Sequence, residues 1–290
     1  MLEVEGVTKV FKTGMFGKAE MTAVSDVSFA VQSGEVVSLI GESGSGKTTV
    51  GRMILRLTGP TAGTISFDGS DVAGLGRREL RQYYAHVQGV FQDPFSSYNP
   101  VYKVDRVLGM IRSSYLPGLS SSDWKTKLHK SLEAVSLEPA DVLGKYPHQL
   151  SGGQLQRLMI ARALLLEIRF LVADEIISML DASTRIDVLN LLGDLKERGV
   201  GILFITHDLS LGNYISDKTL ILRHGRVVEM GATEKVYGNP THPYTQMLLS
   251  SVPHLTEKWG VHTPTPADED GEAPLRKLDD EHYAAIRGAT

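Results

Sequence analysis

Apolar positions along the chain fall into two regimes. Leu2 to Phe11, Ala23 to Val31 and Thr64 to Phe67 alternate or are β-branched, which predicts short strands, and Asp68-Gly69 reads as a hairpin turn. Val36 to Ile40 is a short apolar run that ends at a glycine-rich loop. Thr48 to Leu57 then reads as a helix stopped by Gly59-Pro60. From about Arg77 to Leu166 the pattern turns helical, with Pro94, Pro100, Pro117 and Pro147 as breaks. Phe170 to Ala173 and Ile202 to Ile205 are again unbroken apolar runs, the pattern of strands covered on both faces of a parallel sheet. Between them Ile186, Leu189, Leu192 and Leu195 share one helix face, with Gly199 as the stop. Thr219 to Leu222 and Arg226 to Glu229 read as strands turning at His224-Gly225.

After about Pro253 the regime changes. Pro264, Pro266 and Pro274 interleave with Asp268, Glu269, Asp270 and Glu272, so residues 254–290 are expected to form a largely mobile extension without a function of its own. No apolar stretch approaches the ~20 residues of a spanning helix, and the start lacks the charged-then-apolar pattern of a signal peptide. The chain is therefore expected to reach a membrane only through partners.

Composition narrows the chemistry. A net charge of -4 carries no basic excess, so no nucleic-acid partner is expected. The absence of cysteine rules out thiol catalysis, disulfides and cysteine-held clusters.

Gly41-Glu42-Ser43-Gly44-Ser45-Gly46-Lys47-Thr48-Thr49 fits G-x-x-x-x-G-K-[ST] between a predicted strand and a predicted helix. Glycines let successive N–H groups turn inward around phosphate oxygens, and the helix N-terminus adds partial positive charge. Gly41, Ser43, Gly44, Ser45, Gly46, Lys47, Thr48 and Thr49 are thus assigned to a nucleotide. Lys47 would reach the β- and γ-phosphates and Thr48 would ligate Mg²⁺. A plain glycine turn with a surface lysine would not demand this context.

Asp174-Glu175 ends the apolar run from Phe170, where α/β sheets bind ligands. Asp174 is assigned to Mg²⁺, and Glu175 to polarising the attacking water. A solvated acidic turn is the alternative, made unattractive by the phosphate loop upstream. His207 ends the next apolar run and is assigned to the γ-phosphate, where a neutral imidazole donates one hydrogen bond and accepts another.

Leu150-Ser151-Gly152-Gly153-Gln154 has two readings. Ser151 and Gln154 form a capping box for the following helix. That leaves unexplained two glycines in the first turn, each costing roughly 1 kcal/mol relative to alanine; close backbone approach to a phosphate explains them. Here the chain resembles the ATP-binding cassette (ABC) ATPases, whose signature is LSGGQ. Gln92 then looks like the Q-loop residue, Ser178-Met179-Leu180-Asp181 like the D-loop, and His207 like the switch histidine. The resemblance covers roughly residues 1–253. It implies an α/β P-loop NTPase core with a mixed sheet, an N-terminal antiparallel β subdomain and an inserted α-helical signature subdomain at about residues 93–166.

For the site, the resemblance implies MgATP, with Gln92 contacting both the metal and the reaction, Phe11 (or Phe16) stacking on adenine, and a head-to-tail pair of cassettes. Ser151 and Gly153 would then contact ATP held by the partner, and Gln154 and Asp181 are counted with them among the nucleotide-binding residues.

A finer resemblance, in Val90 to Pro100 and Tyr237 to Thr245, is to the oligopeptide/dipeptide importer branch. It implies an unlike second ATPase subunit, two transmembrane permease subunits, an extracytoplasmic solute-binding protein, and a peripheral place on the cytoplasmic face of the membrane. The transported solute would be an oligopeptide or an oligosaccharide. One departure stands out: the family usually follows its catalytic glutamate with Pro-Thr, and this chain has Ile176-Ile177. Rival readings are an exporter cassette, a soluble ABC ATPase acting on nucleic acid, a P-loop small-molecule kinase and a non-hydrolysing regulatory cassette. The first is opposed by the importer-like stretches and the second by the lack of a second cassette or coiled-coil insertion. The third is opposed by the signature motif, and the last by Glu175 and His207.

Overall fold

A computed structural model describes residues 1–13, 19–251 and 273–286. Its strands are β1 (Leu2–Thr13), β2 (Ala19–Val31), β3 (Val36–Ile40), β4 (Ala62–Phe67), β5 (Ser70–Asp71), β6 (Val87–Val90), β7 (Phe170–Asp174), β8 (Gly201–Thr206), β9 (Lys218–Arg223), β10 (Arg226–Ala232), β11 (Leu275–Asp279) and β12 (His282–Ala285). Its α-helices are α1 (Lys47–Ile54), α2 (Arg77–His86), α3 (Asp105–Tyr115), α4 (Ser121–Glu133), α5 (Pro139–Val142), α6 (Gly152–Leu164), α7 (Ala182–Glu197), α8 (Leu209–Ile215), α9 (Thr233–Gly238) and α10 (Pro243–Ser250).

The chain divides into two units, residues 1–74 with 203–290 and residues 75–202. The first unit holds an antiparallel sheet in the order β2-β1-β4-β5 and a mixed run β11-β12-β10-β9-β3-β8. β3 and β9 pair in parallel, while β9, β10, β12 and β11 pair antiparallel. Both hairpin turns read from the sequence form as two-residue turns with positive φ throughout: 50° and 77° at Asp68-Gly69, 46° and 79° at His224-Gly225. That is the backbone twist antiparallel strands favour. Behind β3 and β9, Ile40, Ile221 and Val228 pack with Leu209, Val236 and Tyr244 from the following helices.

In the second unit β6 and β7 pair in parallel, accompanied by α2 to α7. β6 corrects the sequence reading, which ran helix from Arg77 onward. Val87, Gly89 and Val90 are buried, and their partner strand lies far along the chain. On α7, Leu189, Leu192 and Leu195 are buried as expected, whereas Ile186 is 47% exposed and Val188 takes an inward place.

The largest correction concerns the C-terminal extension. Leu275–Ala285 is a hairpin, β11-β12, hydrogen-bonded to β10 through Glu229, Met230 and Gly231. Ala284 and Ala285 are buried, and the His282 side chain is 2% exposed against Glu229. Low average hydrophobicity does not reveal it, because backbone pairing and one buried His282–Glu229 contact of 2.8 Å, rather than a large apolar face, attach this segment. A Cβ at Gly231 would stand 2.2 Å from the Glu281 carbonyl oxygen, so glycine there lets the hairpin seat closely. The acidic, proline-rich stretch before it lies outside the described residues.

Candidate functional site

The phosphate loop is held by its neighbours in the first unit. β3, buried at every position, ends at Gly41, where a Cβ would meet the Leu222 carbonyl oxygen at 2.1 Å. Gly46, at φ 105°, would drive a Cβ to 2.4 Å from the Ala23 carbonyl oxygen. Gly225 N–H donates to the Ser45 carbonyl oxygen at 2.9 Å, so the turn between β9 and β10 buttresses the loop. Lys47 opens α1 and is 6% exposed. Its ammonium donates to the carbonyl oxygens of Gly41 (2.6 Å) and Glu42 (2.7 Å). This poises the cation along the loop, and the buried stem keeps it there. Ser43 and Gly44 are exposed, as is Thr48 in the first turn of α1; Ser45 is buried and Thr49 half-buried.

Also in the first unit, His207 is exposed immediately after β8. Phe11 lies half-buried on β1 opposite Met21, with the Lys9 ammonium 5.1 Å from its ring centroid. Phe16 lies outside the described residues.

The second unit carries the acidic pair and the signature. Asp174 ends β7 and is 3% exposed. Glu175 follows at φ 50°, a backbone region that costs a non-glycine residue on the order of 1 kcal/mol or more and recurs at functional sites. Ser178 helps hold it, donating from N–H (3.2 Å) and Oγ–H (2.9 Å) to the Glu175 carbonyl oxygen. Gln92, on the exposed loop after β6, donates from Nε2 to Glu175 Oε2 at 2.6 Å. Ile176 and Ile177 are 0% and 3% exposed, so the departure from Pro-Thr is buried apolar packing next to Glu175 in the chain.

Ser151 caps α6. Its Oγ accepts the Gln154 N–H at 3.1 Å, and Gln154 Oε1 accepts the Ser151 N–H at 2.9 Å. The capping box therefore forms, and it occupies the Gln154 side chain. The glycines are another matter: a Cβ at Gly152 or Gly153 would meet only ordinary contacts, at 3.6 Å from Met179 Sδ and 3.4 Å from Leu180 Cδ2. Among the described residues, nothing requires their small size.

Asp181 caps α7, accepting from Ser183 Oγ–H (2.6 Å), Thr184 N–H (3.0 Å) and Thr184 Oγ1–H (2.9 Å). These bonds, Ser183 first, hold its carboxyl well below the usual carboxylate range.

Two contacts here escaped the sequence reading. Gln156 on α6 is fully buried and donates from Nε2 to the Phe91 carbonyl oxygen at 3.2 Å, anchoring the residue before Gln92. A polar residue on an apolar helix face was the available signal. Tyr244 Oη accepts the Glu42 N–H of the phosphate loop at 3.1 Å, which no local pattern announces.

Comparison with known proteins places this geometry. A family model described as "ABC transporter" matches residues 24–178, more than half the chain, and a second, "Oligopeptide/dipeptide transporter, C-terminal region", matches residues 228–275. The chain is 46% identical over 255 residues to a putative peptide import ATP-binding protein of Brucella ovis, covering 87% of this chain and 78% of that one. It is 40% identical over 290 residues to the oligopeptide transport ATP-binding protein OppF of Streptococcus mutans, covering 98% and 93%. Among solved structures, a dimeric ATP-binding cassette bound to ADP and Pi superposes with a TM-score of 0.73 at 29% identity, over 80% of this chain and 99% of that one. The chain belongs to the ABC transporter family of ATP-binding cassettes, in its oligopeptide/dipeptide branch.

Proposed function

We propose that this chain is the ATP-hydrolysing subunit of an importer of oligopeptides. It works as a peripheral subunit on the cytoplasmic face of the membrane, with an unlike second cassette, two permease subunits and an extracytoplasmic solute-binding protein. The observation that carries the reading is the 2.6 Å hydrogen bond from Gln92 to Glu175, which presents an oriented carboxylate at the end of a buried strand. No described helix is long and apolar enough to cross a membrane. Phe95, Val101 and Tyr102, 47%, 71% and 41% exposed on the segment after Gln92, offer apolar surface for a permease segment.

In this mechanism Lys47 neutralises charge on the terminal phosphates, and His207 donates a hydrogen bond to the γ-phosphate. Glu175 accepts the proton of the attacking water while Gln92 holds the carboxylate in place. The Asp174 carboxylate, Thr48 hydroxyl and Gln92 amide are hard oxygen donors of the kind Mg²⁺ takes beside phosphate oxygens. The ion, when bound, offsets charge on the β- and γ-phosphates. Ser151 and Gly153 act on the ATP of the other cassette: the open first turn of α6 admits a γ-phosphate against its N–H groups. Closure is then favoured only while that phosphate is present.

The test is reconstitution of the chain with its partner cassette, permeases and binding protein in liposomes. Peptide-loaded binding protein is expected to raise phosphate release and drive peptide uptake, and Lys47→Ala to abolish both. Uptake that persists without ATP, or turnover indifferent to the loaded binding protein, would overturn the reading.

A further inference from the structure

Glu42, second residue of the phosphate loop, is held from both sides. Its carbonyl oxygen accepts the Lys47 ammonium at 2.7 Å, and its N–H donates to Tyr244 Oη at 3.1 Å across 202 residues of sequence. Tyr244 stands in the first turn of α10 and is 1% exposed, packed with Ile40, Leu209, Ile221 and Val236. The Arg223 guanidinium lies 5.0 Å from its ring centroid. Burial pushes the phenol pKa up, which keeps the hydroxyl protonated.

Tyr244 is itself fixed by one carboxylate. Glu229 on β10 is fully buried. Its Oε1 accepts the Thr241 N–H at 2.8 Å and lies 2.8 Å from His282 Nε2, while its Oε2 accepts the His242 N–H at 3.0 Å. His242 Nδ1 in turn accepts the Tyr244 N–H at 3.1 Å. The loop entering α10 is thereby pinned between the sheet and β12, and His282 is the contribution of the C-terminal hairpin to that pin.

We infer that Tyr244 is a positioning residue of the phosphate loop, and that the C-terminal hairpin, through His282 and Glu229, sets how firmly the loop is held for ATP. The inference rests on the ATP-hydrolysing reading above. Tyr244 meets the phosphate loop through the Glu42 backbone N–H, so its effect is on loop order. A loop that spends part of its time with the Glu42 peptide turned away binds nucleotide with an affinity reduced by that fraction. Turnover of the bound nucleotide is untouched.

The experiment titrates the full chain with a non-hydrolysable MgATP analogue and measures phosphate release in the assembled complex. Tyr244→Phe keeps the ring and removes only the hydroxyl. It is expected to weaken analogue binding about three- to tenfold, the scale of one neutral hydrogen bond, with kcat at saturating ATP unchanged. His282→Ala is expected to shift affinity in the same direction, to be restored by His282→Gln (which keeps an N–H donor), and to add nothing in the Tyr244→Phe background. Equal affinity of wild type and Tyr244→Phe, or a loss confined to kcat, overturns the role of Tyr244. A His282→Ala shift that adds fully to that of Tyr244→Phe overturns the route through the hairpin. A wild-type chain that fails to bind the analogue contradicts the ATP-hydrolysing reading instead.

Discussion

Gln92 Nε2 lies 2.6 Å from Glu175 Oε2, joining a loop after one strand to the carboxylate after its parallel neighbour. The bond spans 83 residues of sequence and orients a side chain whose backbone already occupies a strained region. Any change in the path of the Gln92 loop is therefore transmitted to Glu175.

Glu175→Gln retains shape but cannot take a proton from water. Phosphate release from the assembled complex is expected to fall by a factor on the order of 10² or more, the scale of lost general-base catalysis, while ATP stays bound. Asp174→Asn is expected to weaken Mg²⁺-dependent binding as well. Measuring ATP retention and phosphate release together separates the two; normal release from Glu175→Gln would place the base elsewhere.

Ser151→Asp distinguishes the cap from the signature role. Aspartate is as good an N-cap as serine, so the melting temperature is expected to stay within a degree or two. A carboxylate facing the partner's γ-phosphate should nonetheless suppress turnover at the partner's site. Paired measurements of thermal unfolding and turnover decide it, and full activity with an intact fold would argue against a site shared between cassettes.

Removal of residues from 273 onward is expected to destabilise the chain. It strips β10 of one of its two antiparallel neighbours and Glu229 of His282, leaving a buried carboxyl group with two backbone donors. Loss of one hydrogen-bond partner of a buried polar group costs about 1–3 kcal/mol. With about 2–4 °C per kcal/mol for a domain of this size, a melting temperature lower by roughly 2–12 °C is the expected reading in differential scanning calorimetry. An unchanged transition would show that the hairpin contributes nothing to the fold.

Replacing Ile176-Ile177 by Pro-Thr would bury a hydroxyl where an apolar side chain is only 3% exposed. A loss of about 1–3 kcal/mol in stability is expected, with ATP affinity preserved because the phosphate loop is not touched. Denaturant unfolding and nucleotide titration report the two quantities; weakened ATP binding with unchanged stability would contradict the role of the pair as packing.

The amino-acid sequence alone determined the features whose parts lie within a few residues of one another. The phosphate loop, the Ser151–Gln154 capping box and both positive-φ hairpin turns are each set by local steric and hydrogen-bonding rules. The mostly apolar runs of β3, β7 and β8 were legible for a similar reason, since burial on both faces favours apolar residues at nearly every position. Tertiary structure alone decided the rest. β6 is a strand because β7 lies beside it, and Ile186 stays in solvent because its side of α7 is left uncovered. The C-terminal hairpin is ordered by an edge strand and by a Glu229 carboxylate 53 residues away from His282. Gln92 finds Glu175, and Tyr244 finds Glu42, across 83 and 202 residues. Polar contacts of that span leave no periodicity in the chain, because the partners are matched by the folded backbone rather than by sequence spacing.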